Sequence, residues 1–210
     1  KRNNIKYDLD LSEGIDLRIF LNFREERGLF NLKNILPKKG KYNFIDIGAN
    51  IGTVSLALSN EFKNSTIYAI EPTDYAYNKF KKNLSLNPNL NNNIKSYQLF
   101  IGKRPLKNIF ASWKLNFKKD DKHYVHKGLK KETNGKSITL DNFVEKIGRK
   151  IDFVKIDTDG HEYEVLQSGI KFLKRDKPII HIEFAPYLHS EYGFFTENII
   201  DLIQKKLNYE

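Results

Sequence analysis

The 210-residue chain has no cysteine and no methionine. Without cysteine there can be no disulfide, thiolate metal site, iron–sulfur cluster or cysteine nucleophile. Without methionine the chain lacks an initiator, so its N-terminus is expected to be trimmed or processed. No apolar run approaches the roughly 18 residues of a membrane span. The first residues are polar and mixed in charge, unlike a secretory signal, and a cytoplasmic location is expected. There is no internal repeat and no long low-complexity linker.

The length falls within the range of one domain and is enough to bury a substantial core. Hydrophobic residues make up 40%, as in ordinary globular proteins, and the net charge is +10. That charge is local. Residues 103–136 hold eleven Lys/Arg against three acids, a surplus of +8, which leaves +2 for everything else. A basic insertion of this kind points to an anionic partner or to a solvated lysine-rich loop, and composition does not choose between them.

Residues 1–42 mix charged and apolar positions and are expected to form an N-terminal helical cap, with a helix near 15–26. From Asn43 onward, short apolar runs alternate with helical patterns. Strands are expected at 43–47, 66–70, 95–101, 151–156 and 179–184. Helices are expected at 53–62, 74–86, 138–147, 162–173 and 196–207. This alternation predicts an α/β fold, a mostly parallel, doubly wound Rossmann-like sheet with helices on both faces. Residues 43–210 then form one ligand-binding domain, whose ligands bind at the carboxyl ends of the strands.

Acids gather at those ends: Asp46, Glu71, Asp157 with Asp159, and Glu183. The first strand runs into Asp46-Ile-Gly48-Ala-Asn50-Ile-Gly52, a glycine loop followed by a helix. Its glycines are expected to let the backbone approach a ligand. Glu71, at the tip of the second strand, can accept hydrogen bonds from a ribose diol. That suits NAD and S-adenosylmethionine alike. Two features favour the latter: the loop lacks G-x-G-x-x-G, and Asp46 would repel a phosphate while suiting a cationic ligand end.

Asp-Ile-Gly-Ala-Asn-Ile-Gly at 46–52, Glu71-Pro72, Thr139-Leu-Asp141 and the block from Asp152 to Gly169 together resemble the FkbM-type methyltransferases. The resemblance runs from about Tyr7 to the last helix. It implies a class I S-adenosylmethionine-dependent O-methyltransferase acting on sugar hydroxyls of glycans or glycosylated metabolites. Asp46, Gly48, Asn50, Gly52 and Glu71 match the family's cofactor residues, and Ile101-Gly102 falls where backbone meets the adenine. Thr158-Asp159-Gly160 stands where the family commonly has Val-Glu-Gly.

The implied reaction is an in-line displacement in which Asp157 is the first candidate base, His161 the second and Asp159 a nearby acid. An aspartate near its usual ~3.9 is a weak base, whereas a histidine near ~6.5 is better poised. Alternatively, Asp157, Asp159 and Glu183 hold Mg²⁺ or Ca²⁺. The 103–136 segment is a candidate lid, with Phe110, Trp113, Phe117 and Tyr124 for stacking. Lys114, Lys118, Lys119, His123 and His126 in it would meet an anionic acceptor.

Two rival readings are an RNA ribose 2′-O-methyltransferase and a non-catalytic nucleotide-binding module. The Asn-Pro-Pro-aromatic motif of amino-methylating enzymes is missing after the fourth strand, so nucleic acid is the less favoured partner. The C-terminal β-hairpin usual in this class is expected to be missing or truncated. That would leave a sheet edge open to an edge-pairing oligomer.

Overall fold

The computed structural model describes residues 3–21, 31–37, 39–103, 109–110, 131–132 and 136–209. Nine strands and ten helices follow in chain order among them. Helices α1 (Gly14–Phe20) and α2 (Leu32–Ile35) precede β1 (Asn43–Ile47), α3 (Thr53–Glu61), β2 (Thr66–Ile70) and α4 (Asp74–Ser85). Next come α5 (Pro88–Asn91), β3 (Ile94–Tyr97), β4 (Leu99–Ile101), β5 (Ile109–Phe110), β6 (Lys131–Glu132) and β7 (Lys136–Ile138). The remainder is α6 (Leu140–Ile147), β8 (Phe153–Ile156), α7 (Glu162–Ser168), α8 (Ile170–Asp176), β9 (Ile179–Ile182), α9 (Pro186–Glu191) and α10 (Thr196–Asp201). A single π-helical turn, Leu202–Lys206, follows α10.

Five strands form one parallel sheet in the order β3-β2-β1-β8-β9. This confirms the doubly wound reading and puts the glycine-loop strand at its centre. Side chains alternate between the two faces with period two. Phe44, Ile67 and Phe153 pack with α3–α5, sharing a core with Leu56, Phe62 and Phe80. Ile45, Ile47, Tyr68, Ile70, Val154 and Ile156 join Val144, Leu166 and Leu173 on the other side. Full burial of one such side chain is worth about 1.5–3 kcal/mol, so this two-faced sheet is what fixes the scaffold.

The sequence reading needs revision in several places. The expected strand at 95–101 breaks at Gln98, whose amide is held by Asp74 at 2.5 Å. Its second half, β4, leaves the main sheet and pairs in parallel with β7. The helix expected at 162–173 breaks at Gly169, where a Cβ would sit 2.6 Å from Leu140. The glycine therefore lets α6 approach the α7–α8 corner. The last helix ends in a π-helical turn, α5 stands where a loop was expected, Ile138 ends β7 where a helix was expected to begin, and α9 was not foreseen.

The N-terminal segment is stitched to α4 and to the start of α5. Asn83 and Asn87 accept the N–H groups of Asp8 and Lys6 at 2.8 and 2.9 Å. Buried Asp16 pairs with Lys79, and Ile5 and Leu32 join the α3–α5 core. At the other end no hairpin strand follows α10 among the described residues. The tail is instead tied to α8, with Lys177 Nζ donating to the carbonyls of Leu207 and Asn208. Most of the basic 103–136 insertion, including Trp113, Lys114, Phe117, Lys118, Lys119, His123, Tyr124 and His126 and the side chain of Phe110, lies outside the described residues. Among those described, no helix is long and apolar enough to cross a membrane.

Candidate active site

The glycine loop is built from left-handed residues: Gly48 (φ 76°), Asn50 (φ 50°) and Gly52 (φ 88°). The Gly48 and Ala49 N–H groups both donate to the Ile70 carbonyl, at 3.0 and 2.9 Å. The loop thereby turns across the end of β2 before α3 begins. The glycines, expected to make room for a ligand, make room for the protein itself. A Cβ on Gly48 would lie 1.8 Å from the Asp157 carbonyl oxygen, and one on Gly52 would lie 2.1 Å from the Phe80 ring. Gly52→Ala should therefore destabilise by about 1–3 kcal/mol through overpacking and ~1 kcal/mol more through its left-handed backbone. Thermal unfolding checks this; an unchanged midpoint would refute it.

A cavity of about 440 Å³ opens at the carboxyl ends of the strands, lined among others by Gly48, Asn50, Glu71, Ile101, Asp157, Asp159, His161 and Glu183. Seven of these were singled out from the sequence as site residues. Glu183 was counted among the strand-end acids and as a metal ligand, not as a catalytic residue. Gly52, Gly102 and Asp46 do not line the cavity. The Gly102 N–H is held by the Ile138 carbonyl at 3.0 Å, which extends the pairing of β4 with β7.

Asp46 is completely buried. It is level with Lys155 on β8, and both point to the α3–α5 face. Asp46 accepts the Ser55 hydroxyl at 2.6 Å and lies 3.4 Å from Lys155 Nζ. The cation that Asp46 meets is thus supplied by the chain, where a cationic ligand end was expected.

Lys155, not singled out from the sequence, is the hub. Its ammonium donates to the Gly48 carbonyl at 2.7 Å and pairs with Asp157 at 3.0 Å. It thus ties the cofactor-loop candidate to the strand end carrying the candidate base. Burial opposes its charge, but Asp157 and Asp46 outweigh burial and hold its pKa above the ordinary lysine value. One signal was available: a lysine inside the otherwise apolar run Phe153-Val-Lys-Ile156 must have a buried partner.

Glu71 is almost fully buried. Its Oε1 accepts the Thr73 N–H (3.0 Å) and hydroxyl (2.5 Å), and its Oε2 accepts the Asn50 N–H (2.9 Å). Burial raises its pKa, against the pull of these hydrogen bonds. Of the roughly four lone-pair sites on a carboxylate, one on Oε2 is left. Glu71 can therefore take one ribose hydroxyl, where a bidentate diol contact was expected.

Asp157 is pushed up by burial, but Lys155 and a hydrogen bond from Glu183 win and hold its pKa below the usual carboxylate range. Glu183 goes the other way, to about 8, through burial and the adjacent Asp157 charge. His161 is buried with its ring between Phe100 (5.4 Å) and Tyr192 (4.2 Å). Nδ1 lies 3.9 Å from Glu164. Asp159 has a left-handed backbone, φ 51°. Among the described residues, no three His, Asp or Glu converge to hold a metal ion, so Asp157, Asp159 and Glu183 are not assembled as the alternative ion site.

The loop Asp157–His161 is braced from beneath by Glu162, which is fully buried and was not singled out from the sequence. Its Oε1 accepts the Thr158 N–H (2.7 Å), the Thr158 hydroxyl (2.9 Å) and the Gly160 N–H (3.3 Å). Its Oε2 meets Nε2 of buried His189 at 3.2 Å, and His189 Nδ1 meets Thr196 at 3.2 Å.

Residues 46–210 match the family described as the methyltransferase FkbM domain. The curated "Methyltransferase 1" of Beauveria bassiana (strain ARSEF 2860) is 24% identical over 143 residues, covering 59% of this chain and 56% of its own length. The chain thus spans little over half of that relative. Among solved structures, the precorrin-6y C5,15-methyltransferase of Geobacter metallireducens GS-15 superposes with a TM-score of 0.52 at 15% identity. That match covers 95% of this chain and 76% of the other. At such identity the likeness concerns the fold alone.

Proposed function

The chain belongs to the FkbM methyltransferase domain family, and from that footing we propose that it moves a methyl group from S-adenosylmethionine to a sugar hydroxyl of a glycan or glycosylated metabolite. The carrying observation is the composition of one cavity. A buried acid suited to ribose (Glu71) and a carboxyl pair (Asp157, Glu183) line the same 440 Å³ space, within the usual 300–1,000 Å³ of small-molecule sites. The donor set fits the cofactor: Glu71 and Asn50 lie at the ribose end, and Ile101 offers apolar surface for the adenine. The acids suit a cationic ligand better than a pyrophosphate.

S-adenosylmethionine supplies a methyl carbon activated by its sulfonium. The chain's part is to align the acceptor oxygen, to exclude water and to take the hydroxyl proton. Hydroxyl chemistry fits a site offering carboxyl groups for a proton. Sugar as the acceptor rests on family membership.

Calorimetry with S-adenosylmethionine and S-adenosylhomocysteine tests the cofactor. Glu71→Ala should weaken both at least tenfold, since a hydrogen bond to a charged group contributes about 1.5–3 kcal/mol. Transfer of labelled methyl to a panel of neutral and anionic oligosaccharides, with RNA as comparison, tests the acceptor. Cofactor binding with methyl incorporation only into RNA would overturn the sugar reading, and unchanged affinity in the Glu71 variant would overturn the site.

A further inference from the structure

Asp157 follows β8 and Glu183 follows β9, parallel neighbours in which Ile156 is level with Ile182. The Glu183 N–H donates to the Ile156 carbonyl at 2.9 Å. This register sets Asp157 and Glu183 side by side at neighbouring strand ends, both lining the cavity, where their carboxyls can share a hydrogen bond. Such a bond needs a proton, because two adjacent carboxylates only repel. Lys155 Nζ, 3.0 Å from Asp157, closes the other side.

We propose that Asp157 and Glu183 act together as the general base of methyl transfer, the proton of the acceptor hydroxyl lodging in the hydrogen bond between them. This rests on the hydroxyl-methylating reading above and adds Glu183 to its catalytic residues. The acceptor oxygen attacks the methyl carbon, and the carbon–sulfur bond breaks with its electron pair going to sulfur. The hydroxyl proton passes to the doubly ionised pair, whose charge falls from −2 to −1. That proton then leaves to water, so the products are an ether, a thioether and one proton.

A pair resolves what a single group cannot. Asp157 alone is too acidic, since Lys155 lowers it further. His161 is clamped between two rings with Nδ1 on the Glu164 side. The shared proton is held far more tightly. Burial first, then the facing charges of Asp157, Asp159 and Glu162, favour the protonated form of Glu183 and push it up to about 8. Opposing charge comes from Lys155; half-buried His181, level with Lys155, is held below the ordinary histidine value by burial and by Lys155 and carries no charge where the pair titrates; Asp46 lies beyond Lys155. A base titrating near the working pH is the efficient one.

Carbon-13 NMR titration of the side-chain carboxyls needs no acceptor. The wild-type protein should show one carboxyl inflection near 8, with a companion shift on its partner. It should vanish in Glu183→Gln and move toward the ordinary ~4.3 in Asp157→Asn. With a working acceptor, the wild-type rate should rise about tenfold per pH unit toward about 8 and then level off as the shared proton is lost. Glu183→Gln should lose that inflection and on the order of 10²-fold in rate. His161→Gln should keep the inflection, whatever it does to the rate. Both carboxyls titrating at ordinary values, or an inflection surviving in Glu183→Gln, would overturn the proposal. If the pair titrates near 8 but no hydroxyl is methylated, the hydroxyl reading fails instead.

Discussion

Lys155→Met should cost about 3–5 kcal/mol, the usual result of removing one member of a buried ion pair. The large term is Asp46. It has no exposure, and besides the Ser55 hydroxyl its compensation is the ammonium 3.4 Å away. The pair with Asp157 adds little, since the Asp157 side chain is 44% exposed and solvent screens it. Against a total stability of about 5–15 kcal/mol, the loss should lower the melting midpoint by on the order of 10 °C. Asp46→Asn in the same background removes the stranded charge and can still accept from Ser55, so it should recover most of the loss. The two changes should couple strongly in a double-mutant cycle. A single variant melting within about 2 °C of wild type would sink this account. The pH dependence has a definite sign. Lys155 is raised above its unfolded value, so its stabilisation is complete below about 10.5 and is lost as pH climbs through the folded value. Asp157 is depressed, so its part is present above the unfolded value of 3.8 and is lost as pH falls through the folded one.

That hub marks where the sequence was hard to read. The apolar strands and their order were legible because period and length differ sharply between a buried strand and an amphipathic helix. Glu71, Asp157, Asp159, His161 and Glu183 were legible because strand ends in a parallel sheet share one edge. Asp46 was misplaced because one position along a strand decides which face a side chain takes. It lies inside β1, not at its tip, so it points into the α3–α5 core. Lys155 was overlooked as one more lysine in a lysine-rich chain, although its strand is otherwise apolar. The breaks at Gln98 and Gly169 depend on tertiary contacts with Asp74 and Leu140, which no local pattern encodes. Glu162 looked like a helix-start acid, and only the fold brings His189, 27 residues later, against it.

Glu162→Ala should separate cofactor binding from catalysis. The side chain satisfies the Thr158 N–H, the Thr158 hydroxyl and the Gly160 N–H at once. Its removal strands those donors and buried His189, at a cost of roughly 3 kcal/mol. Those bonds fix the loop Asp157–His161, which carries Asp157 and Asp159. A displacement of about 1 Å at reacting groups can cost 10²-fold, so the turnover number should fall at least that far. Glu71 follows β2 and Asn50 lies in the glycine loop, and the hydrogen bonds of Glu71 run to Thr73 and Asn50, not to the Glu162 brace. Affinity for S-adenosylhomocysteine should therefore stay within about threefold, provided it is measured well below the melting midpoint. Glu162→Gln supplies the control. Its amide oxygen can take the Thr158 and Gly160 donors, and its NH₂ can donate to His189 Nε2 if the ring adopts the tautomer with its proton on Nδ1, facing Thr196. Rescue by glutamine would mean that Glu162 works by geometry. Equal loss in both variants would mean that its charge, acting on the nearby Asp157–Glu183 pair, is what matters. Loss of cofactor affinity in step with turnover would show that the brace supports the whole cavity, not the Asp157 loop alone.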